Sequence, residues 1–164
     1  MSYVLTAYDN GNCNGMPYAS MEINGNRCEF YPNGNCNGIH TWSMKKTSRC
    51  CEVYRSPGLN GMPYNYFKYS ERGVEFYPNG NGNGMPEYYF KFRGSNAVEF
   101  YPNGNGNGMP ELYFEKRGRM VVYYPNGNGN GMPTRAINGV NDIRDALEMV
   151  FYLFIPLGCE QRPL

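Results

Sequence analysis

The amino-acid sequence predicts an all-β protein made of a six-unit repeat array with a helix at its C-terminal end. The segment Tyr-Pro-Asn-Gly-Asn-Gly-Asn-Gly-Met-Pro occurs three times, at residues 77–86, 101–110 and 124–133. With weaker copies included, six leading tyrosines follow one another at spacings of 23, 23, 23, 24 and 23 residues: Tyr8, Tyr31, Tyr54, Tyr77, Tyr101 and Tyr124. Apolar and polar residues alternate around each copy, and a helical pattern appears only after residue 140. A fixed period in this range is the signature of a repeat architecture.

Each repeat contains two predicted strands, because its side chains alternate with a period of two. In the fourth repeat these strands are residues 74–77 and 88–92. When the six repeats are aligned, equivalent residues form columns, and four of these columns are apolar in every repeat. They are Leu5, Cys28, Cys51, Val74, Val98 and Val121; Ala7, Phe30, Val53, Phe76, Phe100 and Tyr123; Met16, Ile39, Met62, Met85, Met109 and Met132; Met21, Met44, Phe67, Phe90, Phe114 and Ile137. Two strands in each of six repeats give about 12 strands.

The Asn-Gly segments are predicted to be tight loops between the strands. Asn and Gly tolerate positive φ, and the flanking prolines cannot donate a ladder hydrogen bond. The last Asn-Gly step of the loop is present in all six repeats, whereas the position before it varies among Cys, Leu and Gly. The backbone conformation of the loop therefore requires Asn and Gly at this last step.

The repeats are predicted to occupy residues 1–139, and residues 140–164 to form a helix and tail. Asn141 and Asp142 are N-cap candidates, and apolar residues then recur at helical spacing until Pro156. We expect this helix to cover the open end of the array, as an exposed sheet edge requires. The sequence leaves open whether the array is a hairpin meander or a β-solenoid.

The period and the Phe-Tyr-Pro-Asn-Gly step resemble MORN-type repeats, over residues 4 to about 139. The resemblance implies an array of twisted β-hairpins that serves as a scaffold or contact surface near membranes and the cytoskeleton. A second, local resemblance concerns the pattern Phe76-Tyr77-x-x-x-Asn81-x-x-Gly84, which is similar to the opening of a βγ-crystallin motif.

The cysteines distinguish the two geometries of the array. Cys13 is repeat-equivalent to Cys36, and Cys28 to Cys51. In a solenoid, equivalent residues stack roughly 4.8 Å apart and a disulfide is within reach. In a meander they lie about 9.5 Å apart and cannot bridge, so that Cys28 and Cys51 are then buried thiols. A zinc site that includes His40 is disfavoured, because the sequence has no Cys-x-x-Cys pair.

Composition and motifs argue against several functional classes. A net charge of +1 and a charged fraction of 18% give no basic face for nucleic acid. The longest apolar run, residues 150–157, is too short to span a bilayer, and the first residues do not resemble a signal peptide, so we expect cytoplasmic synthesis. His40 is the only histidine and occupies the place that proline holds in the other five repeats. We therefore predict no enzyme activity and no cofactor.

The remaining feature is a repeated surface rich in tyrosine and asparagine. The predicted contact face consists of Tyr31, Tyr54, Tyr77, Tyr101, Tyr124, Tyr66, Tyr89 and Tyr113. Tyrosine covers contact area at low entropic cost. We expect a non-enzymatic structural protein, with protein partners or self-association, in a viral shell (virion), filament or coat. The alternative is a binding module for a glycan or another repetitive ligand.

Overall fold

The computed structural model describes residues 2–55 and 57–160, and this part of the chain forms twelve strands, two α-helices and a 3-10 turn. The strands are β1 (Ser2–Tyr8), β2 (Ala19–Asn24), β3 (Arg27–Tyr31), β4 (Trp42–Lys46), β5 (Cys50–Tyr54), β6 (Asn65–Tyr69), β7 (Gly73–Tyr77), β8 (Tyr88–Phe92), β9 (Ala97–Tyr101), β10 (Leu112–Arg117), β11 (Met120–Tyr124) and β12 (Arg135–Asn138). The helices are α1 (Ile143–Leu153) and α2 (Pro156–Cys159), and the 3-10 turn is Pro57–Leu59. The predicted all-β class and the two strands in each repeat are confirmed.

The strands form one closed antiparallel barrel in which each pairs with its neighbours in sequence. Strand β1 pairs with β2, where Leu5 faces Met21, and also with β12, where Ala7 faces Ile137. Both predicted geometries of the array, the hairpin meander and the β-solenoid, are therefore wrong. Closure gives the first and last strands a hydrogen-bonded neighbour each, which removes the exposed edges that an open array would present.

Three of the four apolar columns line the interior of the barrel. Their members expose at most 5% of their surface, from Leu5 and Met21 at the first hairpin to Val121 and Ile137 at the last. The fourth column, which begins at Met16, lies on the loops and is exposed. Period-two alternation therefore identified the inward face of the strands correctly, because successive side chains of a strand point to opposite sides of the sheet.

Helix α1 runs through the inside of the barrel, so the prediction that it covers an open end is wrong. Its buried residues lie on all sides of the helix, and Phe151 packs against rings of β6, β7, β8 and β9 at centroid distances of 4.6–6.3 Å. About eight strands enclose a space that side chains alone can fill. A barrel of twelve strands is wider, and the helix supplies the missing apolar volume.

The start of α1 is confirmed at the predicted N-cap. Asp142 Oδ1 accepts a hydrogen bond from Arg144 N at 3.0 Å, and this bond satisfies one of the free N–H groups of the first turn. Strand β12 ends at the barrel end that carries the short turns. Helix α1 starts at that end and runs towards the end that carries the Asn-Gly loops. Among the described residues, neither helix is long and apolar enough to cross a membrane.

Candidate functional site: a ring of loops with exposed methionines

All six Asn-Gly loops lie at one end of the barrel, because successive strands are antiparallel. The first asparagine of a loop fixes its shape. Asn103 Oδ1 accepts hydrogen bonds from Asn107 N at 3.0 Å and from Asn105 N at 3.3 Å, and its Nδ2 donates to Asn107 O at 2.8 Å. The equivalent asparagines of four other loops make the same bonds: Asn10, Asn33, Asn79 and Asn126. These five loops therefore share one defined backbone shape.

Neighbouring loops touch one another and form a continuous ring. A Cβ atom on Gly104 would lie 2.1 Å from the carbonyl oxygen of Pro86 in the preceding loop, so only glycine permits this approach. The same contact joins further pairs of loops: Gly34 with Pro17, Gly80 with Pro63, Gly127 with Pro110, and Gly11 with Pro133. The last pair joins the first loop to the sixth and closes the ring.

His40 makes the remaining junction, between the second and third loops. Its Nε2 lies 3.1 Å from Gly58 N and 2.9 Å from Glu29 Oε2. The two contacts need different protonation states of that nitrogen, because it must accept from the Gly58 N–H but donate to the carboxylate. The single histidine thus has a structural place in the ring, where the other repeats carry proline.

The ring presents one large apolar side chain from each repeat to solvent. These residues are 81–89% exposed: Met16, Ile39, Met62, Met85, Met109 and Met132. Each follows a glycine with φ between 78° and 83°, a backbone conformation that glycine adopts without strain. Sequence reasoning recorded this column as apolar but missed its exposure. The available signal was its position between Gly and Pro inside a predicted loop.

The tyrosines of the predicted contact face lie beneath and between the loops. Tyr31, Tyr77, Tyr101 and Tyr124 expose 2–8% of their surface. The other four, Tyr54, Tyr66, Tyr89 and Tyr113, are half-buried. The pKa of Tyr77 is raised, mainly because the side chain is buried and also because Glu75 is close to it. The Tyr77 hydroxyl donates a hydrogen bond to Glu75 Oε1 at 3.1 Å. A contact role for these tyrosines stays a prediction, and the side chains at the surface above them belong to the loops.

In each loop, the residue before the last Asn-Gly step complements in size the strand residue beneath it. Gly82, Gly106 and Gly129 lie against the rings of Tyr66, Tyr89 and Tyr113. Where the strand residue is small, the loop residue is larger: Cys36 lies over Ser20, Leu59 over Ser43, and Cys13 over the cluster that contains Ala136. The variation among Cys, Leu and Gly in the loops therefore compensates for variation in the sheet.

A second polar site lies inside the barrel, at the end with the short turns. Glu148 of α1 is fully buried, and its carboxylate accepts hydrogen bonds from Lys46 Nζ at 2.8 Å and from the Tyr69 hydroxyl at 2.5 Å. A cavity of about 620 Å³ opens beside this group, and Tyr3 and Phe92 also line it. Burial is the largest influence on Lys46 and would lower its pKa. The attraction of Glu148, the smaller effects of Cys51 and Cys28, and the hydrogen bond to Glu148 together outweigh it and raise the pKa, so the ammonium group stays charged.

The two disulfides that a solenoid would have allowed, Cys13 with Cys36 and Cys28 with Cys51, are not formed, and these four residues are thiols. Cys28 and Cys51 are buried on the inner face of β3 and β5, with β4 between them. Burial raises the pKa of Cys28 to about 12, and burial also raises the pKa of Cys51 well above its ordinary value. Both thiols are therefore protonated and unreactive near neutral pH. Among the described residues, no three His, Cys, Asp or Glu side chains are grouped as a metal site.

Comparison of the chain with family models, with curated proteins and with solved structures found no match.

Proposed function

We propose that the protein is a non-enzymatic assembly protein that associates with further copies of itself through the ring of loops. The observation that carries the proposal is the set of six equivalent apolar side chains, each 81–89% exposed, five of which lie on loops that share one defined shape. Exposed apolar side chains grouped on one face are typical of protein–protein contact sites. Methionine adapts well to such contacts because its side chain is flexible and polarisable.

The chemistry of the ring favours a second copy as its partner. The loop segments that follow the leading tyrosines contain two charged residues, Asp9 and Arg55. Besides these and the cysteines, His40 is the one titratable residue in the six segments. Two such rings can face each other without repulsion between like charges. The repeated outline also suits a twofold contact between identical faces. By itself such a contact closes a dimer. This dimer is the proposed building unit of a shell, filament or coat, and the scaffold role implied by the resemblance to MORN-type repeats agrees with it.

The alternative, glycan binding through the tyrosines, is less well supported. Tyr101 is 3% exposed and Tyr124 is 2% exposed. A ligand would reach these rings only after the loops had moved, which would break the contacts between loops, such as that of Gly104 with Pro86.

Light scattering coupled to size-exclusion chromatography, over a range of protein concentrations, tests self-association. The test variant replaces Met62, Met85, Met109 and Met132 with glutamine, which keeps side-chain length and removes apolar character. The matched control places glutamine at three exposed positions of the opposite barrel end, Arg49, Ser95 and Arg119. We expect the wild type and the control to associate and the ring variant to remain monomeric. A wild type that is monomeric at every concentration contradicts the proposal.

A further inference from the structure

We infer that the ring is a site of reversible methionine oxidation by peroxides, and that this oxidation controls association through the ring. The inference rests on the proposed function. Five of the six apolar residues of the ring are methionines, with exposures of 82–89%. The thioether sulfur combines apolar character with ready two-electron oxidation. The thiols of Cys13 and Cys36, in the first two loops, are half-buried, whereas the methionines are at the exposed surface of the ring.

Three methionines of the described chain are fully shielded, and Met120 is half-buried. Met21, Met44 and Met149 are 0% exposed and lie in the interior of the barrel. A peroxide reaches their sulfur atoms only when the barrel opens, whereas the ring sulfurs are accessible in the folded state. The fold therefore distinguishes five accessible methionines on the loops from three protected methionines in the core.

The chemical step is an oxygen transfer. A lone pair of the methionine sulfur attacks one peroxide oxygen and the O–O bond breaks. A sulfur–oxygen bond forms, and the other oxygen leaves as water, or as an alcohol if the oxidant is an alkyl hydroperoxide. The sulfur loses two electrons and the peroxide gains two, so no further reactant is needed. The product, a sulfoxide, is polar, and methionine sulfoxide reductases convert it back to the thioether.

The consequence for the ring is a change of surface chemistry without a change of fold. The ring methionines contribute little to the folded core, so their oxidation leaves the barrel intact. Each sulfoxide must be desolvated in a ring-to-ring contact, which opposes association. Ile39 occupies the same position in the second repeat and shows that an apolar side chain without sulfur is accommodated there.

The first measurement maps oxidation by peptide mass spectrometry after brief treatment with hydrogen peroxide, followed by catalase and then dithiothreitol. Dithiothreitol reduces disulfides and sulfenic acids of cysteine but leaves methionine sulfoxide in place. We expect oxidation at Met16, Met62, Met85, Met109 and Met132 to be at least about tenfold faster than at Met21, Met44 and Met149, because burial limits access. Equal rates in the two sets overturn the inference.

The second measurement compares the association of oxidised and untreated protein by light scattering. We expect oxidation to weaken association by about tenfold or more, which corresponds to at least about 1.4 kcal/mol. Treatment with reductases for both sulfoxide epimers is expected to restore it. The control variant replaces the five ring methionines with isoleucine, as in the second repeat. It should associate like the wild type and be insensitive to peroxide.

The outcomes separate the two proposals. If untreated protein associates and the oxidised protein associates equally well, the control by oxidation is wrong and the assembly proposal stands. If the isoleucine variant also loses association in peroxide, another group is responsible and the inference is overturned. If untreated protein is monomeric, the assembly proposal fails and this inference fails with it.

Discussion

Gly106 lies so close to Tyr89 that a Cβ atom at residue 106 would stand 2.7 Å from the Cδ2 atom of that ring. The loop of the fifth repeat therefore packs directly against β8, the second strand of the fourth repeat. In the second repeat the relation is reversed, because Cys36 Sγ contacts the small Ser20 at 3.3 Å. The barrel thus tolerates either a large strand residue under glycine or a small one under a side chain.

We expect Gly106→Cys to destabilise the protein by about 1–3 kcal/mol, since it forces a side chain into an occupied space. Adding Tyr89→Ser should recover most of this loss, because the pair then matches Cys36 and Ser20. Urea unfolding of both single variants and the double variant gives the coupling energy. A coupling energy near zero would show that the two residues do not share the space.

The ion pair between Lys46 and Glu148 joins β4 to the helix inside the barrel. We expect Lys46→Met to cost about 3–5 kcal/mol, because it leaves the carboxylate of Glu148 buried without its cation. The double variant with Glu148→Gln should be more stable than Lys46→Met alone, since it removes the uncompensated charge. Chemical denaturation is the measurement, and a double variant that is less stable than Lys46→Met would contradict this account.

Burial of Cys28 predicts a loss of stability in alkaline solution. Its pKa is raised from 9.0 to about 12 in the folded protein. Between these two pH values the folded state keeps a proton that the unfolded state releases. The stabilising contribution of this thiol to the free energy of unfolding is therefore complete below pH 9 and is lost as the pH rises towards 12. At pH 10.5 this one group lowers the free energy of unfolding by about 2 kcal/mol. Unfolding midpoints at pH 8 and pH 10.5 should therefore differ more in the wild type than in Cys28→Val.

Phe151 and Met109 represent opposite environments, with exposures of 0% and 85%. We expect Phe151→Ala to cost about 3–5 kcal/mol through the cavity it leaves at the centre of the barrel. Met109→Ala, in contrast, should change the stability of the monomer by less than about 0.5 kcal/mol. Thermal unfolding at a concentration where the protein is monomeric checks both. A large loss for Met109→Ala would indicate that the loop needs this side chain for folding.

Much of the fold follows from local sequence chemistry. Alternation around Val74 and Phe90 predicts two strands in a repeat and their inward faces, and the N-cap at Asp142 predicts the start of α1. These features depend on residues close together in the chain, so a single repeat or a single turn of helix contains the information. The candidate site was only half predicted: the loops and their apolar column are visible in the sequence, but the exposure of that column was missed.

Closure of the barrel and insertion of the helix depend on contacts between distant residues. Ala7 pairs with Ile137, and Gly11 meets Pro133, across more than 120 residues of chain. A repeat pattern is the same whether the array stays open or closes, because each unit contacts its neighbours in the same way. One indication of closure is present in the sequence, since Cys13 of the first loop packs against the cluster of the last two strands that contains Ala136. The interior of twelve strands requires more apolar volume than the strands supply, and this requirement places the helix inside the barrel instead of at its edge.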